Sequence, residues 1–237
     1  MNSPSLLDKP TDGKSWPRRT FLQAAGATAA SAALLLAGCS DDPDPVPVDT
    51  TLLTLGANDI GLLNYAYLLE QLAAAFYQKV LDSPPADLQP GDLAFLNDLR
   101  DHEVIHRETL RFALDTQAII SVTFDFSTLN LSTRAGVLAA AKRLEDTGVA
   151  AYNGILRLVS DATHQSTLLK ISSVEARHSA FIRDVLTPAA GTFATDVVVN
   201  ASPLLSVAAS LTPAQVITET APFYLPLRVY TDSLPTA

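Results

Sequence analysis

A single cysteine, Cys39, occurs in the 237 residues, so no intramolecular disulfide can form and no sulfur-ligated iron site can be built. Basic residues are also scarce. Sixteen Lys and Arg stand against 25 Asp and Glu, a net charge of −9, and nucleic-acid binding needs the opposite balance, with Lys and Arg clustered. The surplus reads as a solvated acidic face. Nor is there a membrane-spanning stretch: the Ala/Leu run from Ala24 to Ala37 falls short of the roughly 20 residues a bilayer requires. What is abundant is apolar surface, 48% of residues, ample for one domain with a sizeable core.

The first segment reads as a leader and not as fold. Pro17-Arg18-Arg19-Thr20-Phe21-Leu22 precedes the apolar run, which ends in Leu36-Ala37-Gly38-Cys39. The arginine pair resembles a twin-arginine export signal, with Pro17 where Ser or Thr is usual, and the ending resembles a bacterial lipobox. Residues 1–38 are therefore expected to be a signal peptide, and Cys39 a lipid-bearing N-terminus that anchors an exported, periplasmic or cell-surface protein. Removing Asp8, Asp12, Lys9, Lys14, Arg18 and Arg19 with that segment takes the net charge from −9 down by two, to −11. Residues 39–57, rich in Pro and Asp in their first half, are expected to be a tether.

Four helical segments follow. The first runs from Asn58 or Asp59 to about Leu81, where Pro84-Pro85 stops it. Its stripe of Leu63, Ala66, Tyr67, Ala73, Ala74, Tyr77 and Leu81 is interrupted by one carboxylate, Glu70, which the apolar neighbours turn inward. The second opens at Asp92 as cap and runs to Leu114, with Leu96, Leu99, Glu103, His106, Leu110 and Leu114 on one face. Glu103 and His106, three apart, share that face. His102 and Glu108 fall off the stripe and read as surface residues. The third spans about Ser132 to Val159 around Glu145, with Gly148 beside the carboxylate. The fourth spans about Thr163 to Leu186, with Glu175 and His178 inward. Residues 115–131 break the helical period, contain an extended Ser-Val-Thr-Phe-Asp-Phe run, and fit a long crossover between helices two and three.

The two halves repeat. Leu69-Glu70-x6-Tyr77 matches Leu144-Glu145-x6-Tyr152 at an offset of 75, and Glu103-x2-His106-x4-Arg111 matches Glu175-x2-His178-x4-Arg183 at 72. One Glu-x-x-His arises by chance in many helices; two, each behind a lone inward Glu in repeated contexts, imply a pseudo-twofold bundle. With this order of Glu, Glu-x-x-His, Glu, Glu-x-x-His, residues 58–186 resemble the ferritin-like superfamily. Together with the leader they are similar to exported bacterial ferritin-like domain proteins, relatives of plant desiccation-related proteins. The resemblance implies an all-α four-helix bundle holding two divalent metal ions. Glu70 and His106 would hold one, Glu145 and His178 the other, and Glu103 and Glu175 would bridge them.

Four ionised glutamates and two divalent ions cancel, so the core would be neutral when loaded. Carboxylate with imidazole suits iron first and manganese second, and also accommodates zinc. Di-iron would react with O2 or peroxide; di-manganese would dismute peroxide. Tyr77 and Tyr152, two turns from Glu70 and Glu145, are candidate catalytic residues, with packing and a hydroxyl bond to a ligand carboxylate as the plainer role. The alternative function is a non-enzymatic metal-binding or stress-protection bundle. Residues 187–237, with a Thr212-Pro213 helix start, are expected to form an irregular extension that wraps the bundle or contributes to a homodimer.

Overall fold

Four long helices carry the architecture: α1 (Asn58–Asp82), α2 (Asp92–Leu114), α3 (Arg134–Ile155) and α4 (Ala162–Leu186). The computed structural model describes residues 51–188, 198–202, 205–224 and 226–236, with only the backbone for 198–202 and 205–208. The expected signal, Cys39 and the first half of the tether lie outside the described residues. The closest packing is α1 on α2 and α3 on α4, with α1–α3 and α2–α4 contacts closing the bundle. Among the described residues no helix is long and apolar enough to cross a membrane.

The helix ends show where sequence and structure part. Asp92 is not the cap of α2 but its first residue; Gly91 occupies the cap position at φ 95°, a left-handed conformation that suits glycine. The Asp92 carboxylate accepts from Gln89 N at 2.7 Å and from Arg134 Nε at 2.6 Å, and so ties the start of α2 to the start of α3. Helix α3 stops at Ile155, short of the expected Val159. Asp59 at the start of α1 accepts the amides of Ser160 (2.9 Å) and Asp161 (2.7 Å), which draws the chain away from a further helical turn. Thr133 caps α3 and Asp161 caps α4 through their side chains, as such residues do at N-termini.

Helix α1 is buried without a break from Gly61 to Leu72, more than one apolar face explains. The crossover covers its outer side. Residues 118–126 form neither helix nor strand, and the Ser121–Phe126 run joins no sheet among the described residues. Backbone groups of the crossover bond instead to two side chains seven residues apart on one face of α1, and Asp125 N donates to Phe223 O of the extension at 2.7 Å. Asn64 donates to Leu55 O (3.0 Å) and Gln117 O (2.9 Å) and accepts from Ile119 N (2.9 Å). Gln71 donates to Ile120 O (3.5 Å) and accepts from Val122 N (2.9 Å).

The extension is more regular than expected. It contains the antiparallel pair β2 (Val198–Ser202) and β3 (Leu205–Ala208), a short helix α5 (Pro213–Thr220), and β4 (Arg228–Tyr230). Strand β4 pairs in parallel with β1 (Leu52–Thr54), so the second half of the tether is packed, with Leu55 wholly buried. Thr212 and Gln215 form a reciprocal capping box for α5. Leu211 N donates to Ala150 O at 3.0 Å, and a Cβ at Gly154 would lie 1.9 Å from Leu211 O, so α3 must present glycine there. Phe223 and Tyr224 are buried beside Phe126 and Phe124 of the crossover. The two non-helical segments thus pack on each other as well as on the bundle.

Asn64→Ala is expected to cost about 1–3 kcal/mol, because three buried or half-buried backbone groups lose their partner at once. Urea unfolding measures it; an unchanged midpoint would show that water replaces the amide freely.

Candidate metal centre

Glu70 of α1, Glu103 and His106 of α2, Glu145 of α3, and Glu175 and His178 of α4 meet at mid-bundle, and all six are buried. They fall into two sets whose ligand-type atoms lie within 4.8 Å of one another. One is Glu70, Glu103, His106 and Glu175; the other is Glu103, Glu145, Glu175 and His178. Glu103 and Glu175 belong to both.

The two sets are near copies. His106 Nδ1 lies 2.8 Å from Glu175 Oε1, 3.5 Å from Glu70 Oε2 and 3.8 Å from Glu103 Oε2. His178 Nδ1 lies 2.9 Å from Glu103 Oε1, 3.6 Å from Glu145 Oε2 and 3.9 Å from Glu175 Oε2. Each distance repeats to 0.1 Å across the pseudo-twofold axis. The tyrosines cross over in the same way. Tyr77 of α1 donates its hydroxyl to Glu145 of α3, and Tyr152 of α3 donates to Glu70 of α1. Burial, and then the nearby carboxylates, push both phenols well above the usual range, so they stay protonated donors. Tyr152 also lines the cavity described below, whereas Tyr77 does not.

Proximity here is not hydrogen bonding. Both imidazole Nδ1 atoms, both Glu103 oxygens, Glu70 Oε2 and Glu175 Oε1 are buried without a hydrogen-bond partner. Native structures leave very few such groups unsatisfied, because each costs about 1–3 kcal/mol or more. Lone pairs that lie close but do not point at donors, and that converge on common points, are what metal coordination requires. The donor set fits: carboxylate oxygen and imidazole nitrogen are ligands for divalent first-row metals.

Without an ion, protons must serve. Burial pushes the carboxyls of Glu103 and Glu175 well up, reinforced by the neighbouring glutamates. Burial alone would push His106 down, but Glu103, Glu175 and Glu70 outweigh it and hold the imidazole up at about 12; His178 is raised for the same reason, chiefly by Glu145. Burial would also raise Glu70, yet the nearby His106 imidazole and the Tyr152 hydroxyl leave it lowered. The protons belong to the cluster and not to single residues.

A cavity of about 30 Å³ adjoins the centre, lined by Glu70, Glu103, Glu145, Tyr152, Gly148 and Thr220 among others. It holds about one water molecule. Gly148 keeps it open: a Cβ there would sit 3.6 Å from Glu175 Oε2, in ordinary contact, and would take up part of that space. Thr220, from α5, brings the C-terminal extension to its wall.

Two features were not foreseen from the sequence. His102 is exposed, as expected of a surface residue, yet its Nδ1 lies 2.9 Å from His178 Nε2. Its position four residues before His106 was the available signal. The other is Asp146, next to Glu145, which accepts from Ser179 Oγ (2.7 Å), Arg183 Nε (3.0 Å) and Lys142 Nζ (3.1 Å) and so binds α3 to α4 beside the centre. Glu108, by contrast, pairs with Arg107 and Arg111 at the surface.

The four-helix bundle and its buried carboxylate–histidine cluster define the class: helical bundles with a core cluster that could hold metal. The chain belongs to the ferritin-like domain family, whose model matches residues 58–188. No curated protein matches the chain.

Two predictions follow from the cluster's protons. Above about pH 4.5 the folded metal-free chain holds protons that the unfolded chain has released, at Glu103, Glu175, and higher up His106 and His178. Its stability therefore falls as pH rises, because stability rises with pH only where the unfolded state binds more protons. Unfolding of chelator-treated protein across that range measures this; stability that rises with pH would contradict it. Metal binding must expel those protons, so affinity should increase with pH and uptake should acidify a weakly buffered solution. Tyr77→Phe should weaken metal binding by roughly 10–100-fold without unfolding the bundle, since it frees the Glu145 carboxylate to turn. Calorimetric titration reads the change, and unaltered affinity would deny the hydroxyl any orienting role.

Proposed function

We propose that this chain is an exported, lipid-anchored ferritin-like protein whose site holds a dinuclear centre, iron first and manganese second, that reacts with O2 or peroxide. The observation that carries the dinuclear reading is the sharing of Glu103 and Glu175 between two four-residue donor sets. Glu70 with His106 would complete one ion's ligands, and Glu145 with His178 the other's. An ion pair that changes oxidation state supplies two electrons, the number that takes O2 to peroxide or peroxide to water.

The chain's own residues do the remaining work. Tyr77 and Tyr152 hold the unshared carboxylates in place through their hydroxyls, and are positioning residues on this reading. The cavity beside the carboxylates has room for about one water-sized molecule. From residue 40 onward the chain contains no Cys and no Met, the side chains that peroxide oxidises first. That composition suits a protein working beside an oxidant. The lack of a cysteine-ligated electron-transfer site means that net peroxide reduction would draw on an outside reductant, whereas dismutation would not.

Export and anchoring rest on Arg18-Arg19 and on Cys39 at the end of the apolar run. Cys39→Ser is expected to move the protein from the membrane to the soluble fraction; continued membrane association would count against the lipid.

Peroxide consumption by protein loaded with Mn(II), and O2 or peroxide consumption by protein loaded with Fe(II), tests the redox reading. Turnover with manganese alone points to dismutation; turnover with iron that stops when the reductant is spent points to an oxidase or peroxidase. Loaded protein inert to both would leave a bundle that holds metal for stability or storage.

A further inference from the structure

The near-perfect repeat of the six buried residues fails one step outward behind the imidazoles, at one hydrogen bond. His178 presents Nδ1 to the carboxylates and has Nε2 2.9 Å from His102 Nδ1. The two ring planes lie within 12° and their centroids 5.2 Å apart. With the nitrogens at 2.9 Å, that centroid separation belongs to rings meeting edge to edge in one plane and not stacked face to face. The contact is thus an in-plane N–H···N bond. For Nδ1 of His178 to offer a lone pair, its proton must sit on Nε2, and a proton there needs an acceptor. His102 supplies one.

The other half has no counterpart. The offset of 72 that carries Glu103 to Glu175 and His106 to His178 carries His102 to Val174, which accepts nothing. His106 Nε2 bonds to no protein group among the described residues and is not one of the buried unpartnered atoms, so water alone stands behind it. The side chains that would ligate are therefore equivalent, while the support behind the two imidazoles is not. An acceptor behind a ligating imidazole fixes its tautomer and orientation and raises its basicity, and losing such a partner typically costs roughly 10–100-fold in metal affinity.

We infer that His102 is a positioning residue that makes the two metal positions unequal, the ion at Glu145 and His178 binding more tightly than the ion at Glu70 and His106. This rests on the dinuclear reading above. The position beside His178 fills first, and the ion beside His106 is the one that exchanges. Because His102 is exposed, its replacement leaves the buried core untouched.

Titration of the chelator-treated full chain with Co(II), followed by calorimetry and by the cobalt ligand-field absorption, tests it. Wild-type protein should take up two ions in two steps whose affinities differ by about 10-fold or more. His102→Val, which gives this half the residue its counterpart carries, should weaken the tighter step by roughly 10–100-fold, merge the two steps and shift the absorption of the first-bound ion. His102→Asn, whose side-chain oxygen takes the place of Nδ1, should restore much of the difference, a rescue that packing alone would not give. His178→Ala should abolish the tighter step and His106→Ala the weaker. Two ions bound with equal affinity, or a His102→Val variant whose tighter step is unchanged, would overturn the role of His102 and leave the dinuclear reading standing. One ion or none in the wild-type protein would overturn both.

Discussion

Six ionisable side chains are withdrawn from water at the middle of this bundle, and the rest of the molecule answers to that fact. Four carboxylates so close together cannot all be charged without something positive among them. Protons supply it in part, held on the cluster well beyond their ordinary ranges; two divalent ions would supply it fully. Every long helix contributes to the cluster, so its electrostatics bear on all four helix contacts at once. The same concentration of like charge that costs stability in the metal-free protein would favour the binding of a cation.

Around that centre the repeat is strict where it touches the ligands and loose elsewhere. Glu70 and Glu145 are each held by the tyrosine of the opposite half, which ties α1 to α3 twice. One residue further on, the halves diverge in purpose. Gln71 follows Glu70 and fastens the crossover, while Asp146 follows Glu145 and fastens α4 through Ser179 and Arg183. His102 and Val174 diverge likewise. A symmetric core has been kept while its surroundings took on separate tasks, and that is where the two halves of the site acquire different chemistry.

The core of this arrangement was legible in the sequence because it obeys helical periodicity. A charged residue on an otherwise apolar stripe, twice, followed by Glu-x-x-His, twice, leaves little freedom about which way the side chains point. The four helices and all six clustered residues were expected on that ground. The non-helical parts were not legible, for a physical reason. The Ser121–Phe126 run looks strand-like in sequence, yet the crossover's backbone partners include the side chains of Asn64 and Gln71 and the Phe223 carbonyl, and no local pattern announces a partner so distant. Helix α3 ends before Val159 because Asp59, about a hundred residues away, takes the amides of Ser160 and Asp161. His102 is exposed, as its place off the apolar stripe implies, while its hydrogen bond reaches inward across to α4. Local rules carry no information about such long-range bonds.

Metal content bears most directly on the central claim. Elemental analysis of protein purified without chelator or added metal should find about two iron or manganese ions per chain, and a Glu103→Gln, Glu175→Gln variant, which keeps the volume but removes both shared carboxylates, should hold none. Metal-free wild-type protein that also fails to take up either ion on addition would contradict the account and leave the buried cluster without a purpose.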